Sequence, residues 1–137
     1  MVGTPSPLKI GREQVDEIVE HARRDAPNEC CGIVATSNGA AVRVFQAENA
    51  EASPVRYGLD PRDQYKIMME IEDNGWSLGA IYHSHTRSPA YPSQTDVNLA
   101  FYPEALYLIV SLVDEEPDLR AFRIVDRKID EVQLSIV

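Results

Sequence analysis

Apolar residues recur at helical spacing over residues 12–25, where Val15, Ile18, Val19 and Ala22 fall on one face. Pro27 and Asn28 end that run. The pattern then shortens. Cys31-Gly32-Ile33-Val34-Ala35 reads as a strand and Val42-Arg43-Val44-Phe45 as its return, joined at Asn38-Gly39, two residues that tolerate the positive φ of a tight hairpin. Residues 48–56 read as loop, and Tyr57-Gly58-Leu59 as a short extended piece. A second helix is marked by its start: Asp60 as N-cap, Pro61 in the first helical position, Asp63 at the positive end of the dipole. Tyr65, Met68, Met69 and Glu72 are expected to line it and Gly75 to end it.

Leu78-Gly79-Ala80-Ile81-Tyr82 predicts a further strand, followed by a turn-rich loop and a short helix from Ser93 to about Phe101. Three more strands are predicted over residues 105–112, 119–125 and 129–136, the first two separated by an acidic turn at 114–118. Residues 1–8, with Pro5 and Pro7, read as a flexible lead-in, and residues 9–137 as one domain. Strands and helices mix without a regular βα alternation. The expected class is therefore α+β, a mixed or antiparallel sheet flanked by helices, rather than a doubly wound parallel sheet.

Composition narrows the choice of partner. The 137 residues suit one hydrophobic core. A net charge of −9 opposes contact with nucleic acid, which needs a basic surface, and with anionic membranes. No apolar run approaches the roughly 20 residues of a membrane span, and the first residues lack the pattern of a secretory signal. A cytoplasmic location is expected. Cys30 and Cys31 are adjacent and cannot staple distant parts of a fold, so free thiols packed as small hydrophobes are expected.

Candidate chemistry concentrates in residues 83–96. His83 and His85 end an apolar strand and leave it on the same face, with Ser84 on the other. Pro89 and Pro92 stiffen the loop that returns Asp96. Two imidazoles and a carboxylate suit Zn²⁺ above Fe²⁺ or Mn²⁺ and leave a tetrahedral ion one position open, as catalytic sites require. Ser93 and Asp96 also fit a capping box, Ser-X-X-Asp, so cap and metal ligand stand as competing readings. Glu29, at a helix-to-strand junction, is either a solvated acid or a general base. His21 is expected on the exposed side of the first helix.

Glu29, then His83-Ser84-His85, seven residues, Ser93, two residues and Asp96, resembles the motif of the JAMM (MPN+) zinc metalloproteases. The likeness is greatest to short bacterial Mec-type hydrolases, carried by His21-Ala22-Arg23-Arg24-Asp25, Tyr82-His83-Ser84-His85-Thr86, Ala90-Tyr91-Pro92-Ser93, Tyr107 and Arg123-Ile124-Val125-Asp126. The resemblance implies an MPN (JAB1/MPN, cytidine-deaminase-like) domain, a curved sheet with one long helix on each side. It implies that His83, His85 and Asp96 hold Zn²⁺, that Glu29 activates water, and that Ser93 donates to the oxyanion. The implied partner is a small ubiquitin-like sulfur carrier ending in Gly-Gly, from which such enzymes release cysteine in cysteine biosynthesis. The alternatives are a broader isopeptidase acting on protein lysines and a non-catalytic MPN scaffold. The 48–57 and 86–91 loops are expected to line the groove for the tail; Arg56 and Arg87 are either partners for a departing carboxylate or, more plainly, two exposed arginines. Nothing in the sequence specifies the oligomeric state.

Overall fold

The computed structural model describes residues 7–137. In chain order the elements are β1 (Leu8–Ile10), α1 (Arg12–Asp25), β2 (Cys31–Ser37), β3 (Ala40–Ala47), α2 (Pro61–Asp73), β4 (Ser77–His85), α3 (Gln94–Asn98), β5 (Leu106–Ser111), β6 (Asp118–Val125), β7 (Lys128–Val132) and β8 (Leu134–Ile136). All eight strands join one sheet in the order β7-β6-β5-β4-β2-β3-β1-β8. The β4–β5, β1–β3 and β1–β8 pairs are parallel and the remaining ones antiparallel. The expected α+β class and mixed sheet are therefore observed.

The two ends of that order are neighbours in the chain. Only Gln133 separates β7 from β8, so the run expected as one strand over 129–136 pairs with β6 in its first half and with β1 in its second. The sheet curves until it nearly closes, which leaves little unpaired edge. β1 escaped the sequence reading because the alternation of Leu8-Lys9-Ile10 lasts only three residues, too short a run to mark a strand beside a proline. The expected lead-in lies outside the described residues except for Pro7 and Leu8, and Leu8 is buried in β1.

Both faces of the central strands are covered, which is why their apolar runs are continuous. On one face α1 lays Val15, Ile18 and Ala22 against Cys30, Val34, Tyr82, Leu106 and Leu108. On the other, α2 covers Ile33, Ala35, Phe45, Ile81 and Ile109. Asp60 caps α2 as expected, its side chain accepting from the amides of Arg62 and Asp63. The stripe α2 buries is Ile67 and Ile71, with Met68 half-buried; Tyr65, Met69 and Glu72 face outward, so the expected lining is corrected. Its helical face is set by the two β-branched residues rather than by the larger side chains beside them. α3 ends at Asn98, earlier than expected. No helix among the described residues is long and apolar enough to cross a membrane.

Candidate metal centre

β4 runs through the middle of the sheet, pairing His83 with Cys31 of β2 and with Ile109 of β5. Alternation then sends His83 and His85 to the α2 face, where both are buried. The loop after β4 turns back so that α3 begins beside them. His85 Nε2 lies 2.9 Å and His83 Nε2 3.1 Å from the same oxygen, Asp96 Oδ2, and the two nitrogens are 3.2 Å apart. Asp96 is itself buried.

Of the competing readings of Ser93 and Asp96, the capping box is observed, and its geometry is compatible with the metal-ligand reading. Asp96 N donates to Ser93 Oγ at 3.1 Å, and Ser93 N donates to Asp96 Oδ2 at 2.9 Å, which completes the capping box. The oxygen that closes the cap is the one facing both histidines. Capping thus aims the carboxylate instead of diverting it.

Hydrogen bonding sets the protonation of the cluster. His85 Nδ1 donates to the Pro89 carbonyl at 2.8 Å, since a carbonyl can only accept; a neutral His85 then turns its Nε2 lone pair inward. Burial lowers the His85 pKa, but its bonds to Asp96 and Pro89 outweigh this and leave it raised. Burial keeps His83 below the ordinary imidazole value despite Asp96. Burial also pushes Asp96 upward, yet the two histidines hold its carboxyl well below the usual carboxylate range. Glu29, buried near this cluster, is raised by desolvation to about 7.

Two imidazole nitrogens and a carboxylate oxygen, buried and turned toward one point, are arranged as a cation site. Ligand atoms on a tetrahedral zinc stand about 3.3 Å apart when the bonds are about 2.0–2.1 Å long. The observed separations of 2.9, 3.1 and 3.2 Å need little adjustment to meet that. Two further atoms, His83 Nδ1 and Glu29 Oε1, are buried without a hydrogen-bond partner among the described residues. Nitrogen and carboxylate donors in this geometry fit a metal ion.

Three residues to which the sequence reading gave no individual role hold the site in shape. Ser84, pointing away from the histidines, accepts from Cys30 N at 2.7 Å while its own amide donates to Cys30 O at 3.2 Å. A side-chain oxygen thereby stands in for the strand carbonyl at the point where Glu29 enters β2. Glu29 N donates to the Ser53 carbonyl at 2.8 Å, and the Glu29 carbonyl accepts from Asn49 Nδ2 at 2.9 Å. Asn49 also donates to the Arg56 carbonyl and accepts from the amides of Glu51 and Gly58. Tyr57, at the end of that loop, stacks on the His83 ring with centroids 4.3 Å apart. The bonds of Asn49 and Ser84 to Glu29 and Cys30 are long-range, and no local pattern signals those contacts.

Other candidates fall outside the cluster. Cys30 and Cys31 are free and buried on opposite faces, and desolvation pushes both thiols up to about 12, so they pack as neutral side chains. His21 is buried rather than exposed, which corrects the surface reading. Its Nδ1 lies 2.7 Å from the Tyr82 hydroxyl and its Nε2 3.2 Å from Asp25 Oδ2. The ring sits there because Tyr82 lies across Gly32, where a Cβ would collide with it, and reaches α1. Burial lowers the His21 pKa, so a neutral ring accepts from Tyr82 and donates to Asp25.

Two clefts flank the histidines. One of about 250 Å³ is walled by Pro54 and Val55 from one loop and Thr86, Arg87 and Ser88 from another, with Glu29, His85 and Ser93 along it. Both loops named from the sequence thus reach the site. The other, about 210 Å³, is lined by Tyr57, Leu59, Leu99, Phe101, Tyr102 and others, and is largely aromatic. Of the two arginines, Arg87 lines the first cleft, whereas Arg56 lies 4.0 Å from Glu51 on the surface and lines neither.

Residues 11–125 match the family described as prokaryotic homologs of the JAB domain. A CysO-cysteine peptidase of Mycobacterium tuberculosis is 43% identical over 138 residues, covering 98% of this chain and 94% of the relative. A desampylase of Haloferax volcanii is 36% identical over 115 residues, covering 79% of this chain and 83% of the relative. The solution structure of a protein from Desulfitobacterium hafniense superposes with a TM-score of 0.86 at 32% identity, covering 95% of this chain and 92% of that one. With the motif residues brought together and the match spanning nearly every element, the chain belongs to the family of prokaryotic JAB-domain proteins.

Proposed function

We propose that the protein is a zinc-dependent hydrolase that cleaves the amide bond between the Gly-Gly terminus of a small ubiquitin-like sulfur carrier and cysteine. The observation that carries this reading is the convergence of His83 Nε2, His85 Nε2 and Asp96 Oδ2 beside a cleft that also holds Glu29 and Ser93. The 43% identity to a peptidase named for a carrier–cysteine conjugate supports the substrate. Residues 9–137 would then form the catalytic domain.

His83, His85 and Asp96 are assigned to hold the ion. Bound there, zinc supplies a Lewis acid that polarises a carbonyl and eases the deprotonation of water. Glu29 accepts the proton of the attacking water and passes it to the leaving nitrogen; burial, by raising its proton affinity to about 7, suits it to both transfers. Ser93 is exposed at the cleft, and its oxygen lone pair is engaged by Asp96 N. The hydroxyl proton is left free to donate to the developing oxyanion, worth about 3 kcal/mol in comparable sites. Cap and oxyanion donor use different ends of one hydroxyl.

A second reading, removal of modifiers from protein lysines, is favoured by the likeness to the desampylase. The discriminating experiment offers the zinc-loaded protein a carrier–cysteine conjugate and a carrier–lysine isopeptide of the same carrier. Faster turnover of the cysteine conjugate is expected, with loss of activity on chelation and recovery on adding zinc. Turnover of the lysine conjugate alone would reverse the order, and indifference to chelation would remove the metal from the mechanism.

A further inference from the structure

The two clefts beside the histidines differ in chemistry, and the position of Glu29 tells them apart. A group that protonates the leaving nitrogen must stand within hydrogen-bond reach of it. Glu29 and Ser93 line the cleft walled by Pro54, Val55, Thr86, Arg87 and Ser88, and neither lines the aromatic cleft beside His83. Resting on the function proposed above, this assigns the aromatic cleft to the acyl side of the bond and the Arg87 cleft to the leaving group.

Arg87 is the cation that cleft offers. It is exposed, and no ion pair or side-chain hydrogen bond among the described residues engages it; Arg12, Arg23, Arg62 and Arg127 are also unpaired, but of all these only Arg87 lines the cleft. In a molecule of net charge −9, an arginine kept free of acidic partners beside the site is poised for an anion brought by the substrate. A guanidinium presents paired donors that match a carboxylate.

We propose that Arg87 binds the free α-carboxylate of the leaving residue, making the enzyme selective for a carrier extended by a single C-terminal amino acid. Hydrolysis adds the oxygen of water to the carrier's carboxyl carbon and breaks the C–N bond, while the proton taken from water goes to the departing nitrogen. In a C-terminal amino acid, one carbon separates that nitrogen from a carboxylate. A lysine side chain inside a protein presents only methylenes at that distance and no charge for Arg87. The cleft, about 250 Å³, has room for the one residue that carries the leaving nitrogen and its carboxylate.

The test compares CysO carrying a C-terminal cysteine as the free acid with the same conjugate as the cysteine carboxamide, for the parent protein and Arg87→Gln, all zinc-loaded. The parent is expected to cleave the free acid with a kcat/KM about tenfold above the carboxamide, and Arg87→Gln to collapse that ratio toward one. Equal rates in the parent, or a ratio that survives in Arg87→Gln, would overturn the role of Arg87 and leave the hydrolase reading intact. A second measurement uses metal-free protein and titrates both conjugates by calorimetry. Tighter binding of the free acid, lost in Arg87→Gln, is expected even if turnover fails; equal binding in the parent would overturn the inference. Absence of turnover of either conjugate with zinc present would instead count against the proposed function.

Discussion

The two faces of β4 bury polar side chains in opposite ways. Toward α1, every polar atom finds a partner: the Tyr82 hydroxyl meets His21, His21 meets Asp25, and Ser84 accepts from Cys30 N. Toward α2, His83 Nδ1 and Glu29 Oε1 are buried with none among the described residues, and two imidazole nitrogens crowd against one Asp96 oxygen. Each orphaned group costs about 1–3 kcal/mol. The fold thus satisfies the face toward α1 and gathers its unpaired polar groups at the candidate metal centre.

The sharpest way to break this comparison is Glu29→Gln. Turnover should fall about 10²–10⁴-fold, because an amide cannot accept the proton, while zinc content by elemental analysis stays at the parent level. Retained activity would mean that another base works. The same variant should be the more stable one without metal. Glu29 has a folded pKa raised from 4.5 to about 7, so the fold bears no penalty below pH 4.5. Between those values the unfolded chain ionises first and stability drains away, by about 3 kcal/mol once the pH exceeds 7. Denaturant melts of metal-free protein at pH 4 and pH 8 should show Glu29→Gln gaining only at the higher pH. In the loaded enzyme kcat/KM should rise with pH toward neutrality as Glu29 ionises, with a nearby cation drawing the midpoint lower.

Asp96→Asn comes next. The asparagine keeps an oxygen for the capping box but carries no charge for a cation. Metal content should drop at ion concentrations that saturate the parent, with little change in helicity. A variant with full metal would return Asp96 to a purely capping role. Ser84→Ala, on the satisfied face, leaves Cys30 N buried without its partner and should cost about 1–3 kcal/mol of stability. It should also slow turnover without loss of metal, because Glu29 hangs from that point of the backbone. Tyr82→Phe is the mildest. It strands His21 Nδ1, at about 1 kcal/mol in a denaturant melt, and should leave metal content and kcat unchanged.

The helices and the site motif were legible in the sequence for different reasons. α1 shows its periodicity openly, and α2 shows its cap at Asp60. His83, His85 and Asp96 are legible because strand alternation and loop length bring them together. His21 was misplaced because a helix facing a curved sheet buries a wider arc than its apolar residues mark. β1 could not be seen, since its place is set by partners at Ala40 and at Leu134–Ile136, far along the chain. The placement of Glu29 was equally hidden, as its backbone is held by Ser53 and Asn49, neither of which is a sequence neighbour.

Asn49 carries a consequence for how such a protein can diversify. One amide grips the carbonyls of Glu29 and Arg56 and the amides of Glu51 and Gly58, so the span between them is a bracketed outcrop. Pro54 and Val55, at its tip, wall the cleft. Side-chain changes at Pro54 and Val55 can reshape what the protein recognises while Asn49 and the Ser53 carbonyl keep Glu29 anchored. A descendant lineage can change its clientele without reinventing its hydrolysis.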